Sequence, residues 1–202
     1  MTENSGATSL TLYGDPPEIV ANTVGKPLPE VEVKVVDTQT CEELPPGEQG
    51  ELCTRGFLIM KGYYKMPGET AKTMDKDGWF HTEDLATIDE NGYIRITGRI
   101  KDMFISGGTN VYPVEVENFL FNHPKVAQVS VVGVPDGRMG EVGMAFIVLK
   151  EGKDCTPEEI IGFCRGKIAN YKIPKYIFFV NEFPLNAMGK IMKFKLQEMG
   201  RE

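Results

Sequence analysis

The sequence predicts an α+β fold in two modules: a β-rich, barrel-like subdomain over residues 1–98, then a small α+β domain over 99–202. Two observations carry this. The first half shows short strand-like runs between turn clusters and few helix signals. The second half alternates apolar runs with segments that open on helix caps. In the first half, "VEVKVVD" (Val31 to Asp37) alternates apolar and polar residues, as a half-buried strand does. "GELCTRG" and "GYIRITGR" read as further short strands, and "LPPGEQG" and "DENG" as turns. Strands of this kind close into a small barrel or fold over as a sheet.

In the second half, Pro113 suits the first position of a helix reaching about Asn122, because its missing N–H costs nothing there. "AQVSVVGVP" and "VGMAFIVLK" read as strands. "TPEEIIGFCRGKIA" has Thr156 as N-cap and Glu159 three residues later, a capping box, with Ile160, Ile161, Cys164 and Ile168 on one face. "YIFFV" is a strand, and the tail from Lys193 a short helix. The character changes at "GRIKD", Gly98 to Asp102. Pattern alone leaves two uses open, an ordinary strand-ending turn, which is the commoner, and an interdomain joint.

Hydrophobic residues make up 41% and charged residues 25%, an ordinary globular composition. The net charge of -7 is uneven: residues 1–98 carry 8 Lys+Arg against 17 Asp+Glu, and residues 99–202 carry 14 against 12. An acidic first half argues against a nucleic-acid partner. No apolar run approaches the ~20 residues of a membrane helix, so no integral membrane segment is expected. "MTENSGATSL" lacks the basic and apolar regions of a signal peptide. The four cysteines, Cys41, Cys53, Cys155 and Cys164, show no pair two residues apart and read as buried thiols of a cytoplasmic protein.

Several residues invite chemistry. Lys190 follows Gly189 in "NAMGKIMK", but a phosphate loop would need glycine and Ser/Thr where Pro184 and Ile191 stand. Lys190 is therefore a solvated turn lysine or a phosphate ligand of another design. "GWFHTEDLATIDENG" offers Thr82, Glu83 and Asp84; a carboxylate there could hold ribose hydroxyls, against the commoner role of a solvated loop carboxylate. His81 has no second His or Cys at ligand spacing, which argues against a metal. His123 reads as a helix-end residue at the negative end of the dipole. Gly107 and Gly108 allow a sharp turn or close ligand approach. Arg138 could pair with phosphate, although a surface salt bridge is the usual fate of an arginine. No nucleophile elbow is present.

Taken in order, "GELCTRGFLIMKGYYKMPGET", "GWFHTEDLA", "GYIRITGRIKDMFISGGTNVYPVEVE" and "FPLNAMGKIMKFKL" resemble the C-terminal part of the adenylate-forming enzymes, specifically the fatty acyl-CoA and related acid-CoA ligases. The resemblance covers essentially the whole chain, and "MTE" is similar to the end of that family's "YGxTE" motif. It implies a preceding large N-terminal domain, absent here, that holds the family's phosphate loop and acid pocket.

By motif match, Asp84 would hold the ribose hydroxyls of ATP or AMP, and Arg99 the same region. Thr2 would contact the α-phosphate and Glu3 magnesium. Lys190 would be the adenylation lysine, and Lys101 the hinge about which a C-terminal lid domain turns. Gly107 and Gly108, with Arg138, would line the path of coenzyme A. The implied substrate is a carboxylic acid, a fatty acid by family. Glu83 departs from the family's glycine and Lys193 from its common arginine. The resemblance implies an ATP-dependent acid-CoA ligase whose C-terminal part has little turnover alone. Two alternatives stay open: a non-catalytic interaction module, and an adenylation domain that loads a carrier protein.

Overall fold

The computed structural model describes residues 1–200, and the fold is α+β. The chain divides into two compact units, Met1–Ile100 and the residues from Lys101 onward. Among the described residues no helix is long and apolar enough to cross a membrane.

The first unit holds β1 (Ser9–Leu10), α1 (Pro17–Asn22), β2 (Lys26–Pro27), β3 (Val31–Val36), β4 (Gly50–Gly56), α2 (Pro67–Thr73), β5 (Phe80–Ile88) and β6 (Ile94–Arg99). β1 and β2 form a small antiparallel pair, and β3-β4-β5-β6 an antiparallel sheet in chain order. That sheet is open, with β3 and β6 as its edges, so the barrel-like module is a sheet and not a closed barrel. Val35, Leu52, Ala86 and Ile94 form its core, with Val33, Leu44 and Ile88 against them. The alternation read in β3 breaks at its end, where Val35 and Val36 are both buried. On the same strand, the Lys34 ammonium lies 4.4 Å from the Trp79 ring centroid, and the Arg55 guanidinium of β4 lies 4.5 Å from it. Trp79 thus takes the ammonium of a lysine that pattern assigns to solvent. Both short helices start on proline, at Pro17 and Pro67, and bury no residue. With only six and seven residues, they carry no apolar stripe for sequence to reveal.

β5 is the main departure from expectation in this unit, because a segment read as a polar loop is a strand of nine residues. A bulge disguises it. Glu51 pairs with Leu85 and Cys53 with His81, so Thr82, Glu83 and Asp84 all stand opposite Leu52. The surplus residues loop out, and Glu83 takes a φ of 57°, in the left-handed region that suits glycine.

The second unit holds β7 (Phe104–Ser106), β8 (Thr109–Val111), α3 (Pro113–Phe121), β9 (Val126–Asp136), β10 (Gly140–Leu149), α4 (Pro157–Cys164), β11 (Tyr176–Phe179) and α5 (Lys193–Met199). β10 is the hub. It pairs antiparallel with β9 along its length, parallel with β11, and at Gly140 with Ser106 of β7. Both faces of this sheet are covered. Val131, Ala145 and Ile147 pack with Val116 and Leu120 of α3 and Ile160 and Cys164 of α4. Val132, Val134, Met144 and Phe146 pack with Phe183, from the segment after β11, and with Leu196 of α5. Burial on two faces is why β9 and β10 read as nearly continuous apolar runs and not as alternating ones. Gly133 lies under Phe104, where an added Cβ would stand 2.4 Å from the Phe104 Cβ, so only glycine permits the approach.

Thr156 caps α4 by accepting the Glu159 N–H at 3.3 Å. The Glu159 carboxylate accepts from Lys125 Nζ at 2.8 Å, so the side chain expected to complete a capping box binds another element. α4 ends at Cys164, which leaves Ile168 outside the helix whose face it was expected to share. Of the cysteines, Cys53 and Cys164 are buried, Cys155 is half-buried, and Cys41 is exposed, so the expectation of buried thiols fails at Cys41.

His123 departs from its expected role. It is 4% exposed, stacks edge-on with Phe163, and accepts the Lys125 N–H at Nδ1 (3.3 Å). Burial lowers its pKa, opposed by the Glu159 charge and reinforced by Lys125, Lys150 and Lys167. It is a neutral core group, not a cation at a helix end.

The folded pKa of His123 lies below its unfolded value of about 6.5, so the unfolded chain takes the proton first. Its contribution is therefore full above that pH and is lost as pH falls. Urea melts between about pH 7.5 and 5 should show declining stability, and His123→Asn, which keeps an acceptor for Lys125, should flatten the decline. At the bulge, replacing Glu83 by glycine removes a left-handed cost of about 1–2 kcal/mol and adds about 0.5–1 kcal/mol of chain entropy cost. Glu83 also has an interaction of its own that glycine would lose, so Glu83→Gly should leave the thermal midpoint of the first unit within about 5 °C of the wild type.

Candidate functional site

In the first unit, the bulge sets Asp84 directly opposite Arg99 on β6. Arg99 Nε donates to Asp84 Oδ1 at 2.9 Å, and both side chains keep solvent access. The pair is a carboxylate held in place by a guanidinium, which suits it to accept from vicinal hydroxyls. Thr82 fixes the loop from one side: its Oγ1 donates to the Leu52 carbonyl at 2.7 Å and accepts the Asp84 N–H at 3.1 Å.

Thr2 and Glu3 lie in a 3-10 turn, Thr2–Asn4, with Thr2 exposed. Glu3 accepts from the Tyr63 hydroxyl at Oε1, 3.2 Å away. Burial raises the Tyr63 pKa, and the charges of Glu3, Glu83 and Glu69 add to the rise. Tyr63 therefore ties the start of the chain to the segment before α2. Nothing in "KGYYKMPGET" distinguishes Tyr63 from Tyr64 in sequence, since only chain packing decides which ring faces Glu3. One oxygen of the Glu3 carboxylate takes the tyrosine, and the other fits the oxygen-rich coordination that magnesium favours.

Beneath the bulge, Glu51 Oε2 lies 2.8 Å from His81 Nδ1, and Cys53 Sγ 3.5 Å from the same nitrogen. Sequence spacing set His81 apart from any ligand partner, yet strand pairing brings these three groups within 4.8 Å of one another. Burial, helped by the Glu51 charge, pushes the Cys53 thiol up to about 12, so it is no nucleophile.

In the second unit, Gly107 and Gly108 form the two-residue turn of the β7–β8 hairpin, with φ of 58° and 82°. Positive φ at both central positions is a type I′ turn, which glycine serves without strain. The Gly107 N–H donates to the Met139 carbonyl at 2.8 Å, and an added Cβ would stand 2.6 Å from the Met139 Cε. The turn holding Arg138 and Met139 is tied by Asp136, whose carboxylate accepts both their N–H groups at 2.9 Å and also pairs with Lys175. The Lys175 ammonium first, then the two N–H donors, lower the Asp136 pKa to about 2. Beside this hairpin lies a cavity of about 560 Å³ lined by Ser106, Met139, Tyr171, Arg165 and Lys175. The last two cations carry no sequence signal, because their approach to the glycine turn depends on how the chain after α4 returns to pair β11 with β10.

Lys190 sits on an exposed loop closed by the Leu185–Ile191 bridge. Asn186 shapes that loop, its Oδ1 accepting the N–H groups of Met188 and Lys190, each at 2.9 Å. Among the described residues no carboxylate pairs with Lys190. Lys193 is committed elsewhere: its ammonium lies 3.1 Å from Glu117 and 3.2 Å from Asp102, the residue after Lys101. The residues singled out in sequence thus fall in two sets, Thr2, Glu3, Asp84 and Arg99 in the first unit, and Lys101, Gly107, Gly108, Arg138 and Lys190 in the second.

Known proteins match both units. The AMP-binding enzyme family matches residues 1–64, and the AMP-binding enzyme C-terminal domain matches residues 115–190. The putative acyl-CoA synthetase YngI of Bacillus subtilis (strain 168) is 54% identical over 176 residues, 87% of this chain and 32% of its own. The medium-chain acyl-CoA ligase ACSF2, mitochondrial, of Bos taurus is 48% identical over 197 residues, 98% of this chain and 32% of its own. The chain thus spans about a third of the length of these curated relatives. The crystal structure of ATP-bound MatB from Rhodopseudomonas palustris superposes with a TM-score of 0.94 at 37% identity, covering 100% of this chain and 40% of that one. The chain belongs to the adenylate-forming AMP-binding enzymes and carries their C-terminal domain.

Proposed function

We propose that this chain is the nucleotide- and thiol-handling part of an ATP-dependent acid-CoA ligase. The observation that carries the reading is Asp84, presented by a bulge and clamped by Arg99 at 2.9 Å. The names of the relatives support the activity, and ATP bound to a neighbour of the same fold supports the cofactor.

The reaction has two halves. A substrate carboxylate oxygen attacks the α-phosphorus of ATP, and pyrophosphate leaves. The sulfur of coenzyme A then attacks the acyl carbon, the thiol proton is lost, and AMP leaves. Asp84 and Arg99 hold the ribose region, and Thr2 the α-phosphate. Lys190 places a cation where charge builds on the reacting oxygens, and its lack of a carboxylate partner among the described residues leaves that charge available. Glu3 would hold magnesium, which supplies charge neutralisation on the phosphates. Gly107 and Gly108 give coenzyme A a turn without side chains, and Arg138 faces its phosphates. Lys101 serves as the hinge between the two half-reactions, which present different faces of the second unit to one centre.

The remainder of the enzyme supplies the acid pocket and phosphate loop, so the chain alone has little or no turnover. The acid is of the fatty-acid class, by likeness to a relative named a medium-chain ligase. Free thiols suit a reducing compartment such as the cytoplasm, while the bovine relative is named mitochondrial.

Joined to the N-terminal domain of a related ligase, the chain should support ATP–pyrophosphate exchange with fatty acids. Lys190→Ala should slow that exchange about 10²–10³-fold. Asp84→Ala should weaken AMP binding about 10–100-fold, the range for losing charge-assisted hydrogen bonds. Unchanged exchange in the lysine variant removes its role, and acyl thioester found on a carrier protein but not on coenzyme A redirects the second half-reaction.

A further inference from the structure

We infer that Glu51 is a positioning residue for the nucleotide site, acting through the bulge and not by contact with nucleotide; this rests on the reading of Asp84 as the ribose ligand. Glu51 is 8% exposed, so its carboxylate needs partners, and it has two. Oε1 accepts the Glu83 N–H at 3.0 Å, and Oε2 meets His81 Nδ1 at 2.8 Å.

Glu83 holds a φ of 57°, a left-handed backbone that costs a residue with a Cβ. The support comes from neighbouring side chains. Thr82 binds the Leu52 carbonyl and the Asp84 N–H on one side, and Glu51 takes the Glu83 N–H on the other. Were the Glu83 peptide to relax to ordinary φ, the register that places Asp84 opposite Arg99 would shift. Glu51 therefore braces a left-handed residue beside the ribose ligand by holding its N–H. Glu51 also aims a carboxylate at the bulge from a strand whose sequence, "GELCTRG", shows no functional signal beyond its match to the family.

The test uses the full chain and AMP as probe, in four variants: Glu51→Ala, the near-isosteric Glu51→Gln, Glu83→Gly, and Glu51→Ala with Glu83→Gly. Amide hydrogen exchange at residue 83 reads the brace directly. Glu51→Ala should speed that exchange about tenfold or more and weaken AMP binding by a similar factor. Glu51→Gln, which keeps an acceptor, should do less. With Glu83→Gly present, the loss of AMP affinity on removing Glu51 should shrink by at least half, a rescue that a merely stabilising Glu51 would not show. A folded Glu51→Ala protein with wild-type exchange at residue 83 overturns the inference, as does a loss of affinity that Glu83→Gly fails to rescue. Asp84→Ala with unchanged AMP affinity instead overturns the ribose reading, and the exchange at residue 83 then decides the brace separately.

Discussion

Three residues of β5 stand opposite one residue of β4, and the Asp84–Arg99 pair of the candidate site depends on that mismatch. A regular ladder would alternate Thr82, Glu83 and Asp84 between the two faces of the sheet. The bulge loops them out, so that Asp84 meets Arg99 across the next strand pair. The cost is a left-handed non-glycine residue and surplus backbone groups. Both are met by polar side chains from the same two strands, Thr82 from within the bulge and Glu51 from below.

The second unit answers to a different constraint. β10 is covered on both faces, so its edges and ends are where polar chemistry can sit. The glycine hairpin, the Arg138 turn and the Lys190 loop are all connections outside the regular ladder. Two of them are shaped by one polar side chain that binds nearby backbone N–H groups, Asp136 for the Arg138 turn and Asn186 for the Lys190 loop. A doubly buried sheet thus acts as a rigid frame for exposed turns.

Much of the fold was legible where one physical signal dominated. β3, β4, β6, β9, β10 and β11 follow from apolar content and turn residues, and the starts of α3 and α4 from proline and a threonine cap. β5 was not legible, because its bulge replaces the alternating pattern with a polar cluster. The helices α1 and α2 were not, because they bury nothing. His123 was misread for a related reason: proximity to a helix end is visible in sequence, while enclosure by Phe163 and α4 is not.

By itself the sequence determined the α+β class, the family, and the identity of the side chains whose chemistry suits phosphate, ribose and thiol. Those depend on local order and on motif chemistry. The tertiary structure alone decided which of these side chains meet. Asp84 and Arg99 are fifteen residues apart and Glu3 and Tyr63 sixty, and each pair forms only through strand register or chain packing. The same holds for Glu51. Its carboxylate reaches residue 83 because two strands pair out of step, and a one-dimensional pattern carries no record of which residue a bulge leaves unpaired.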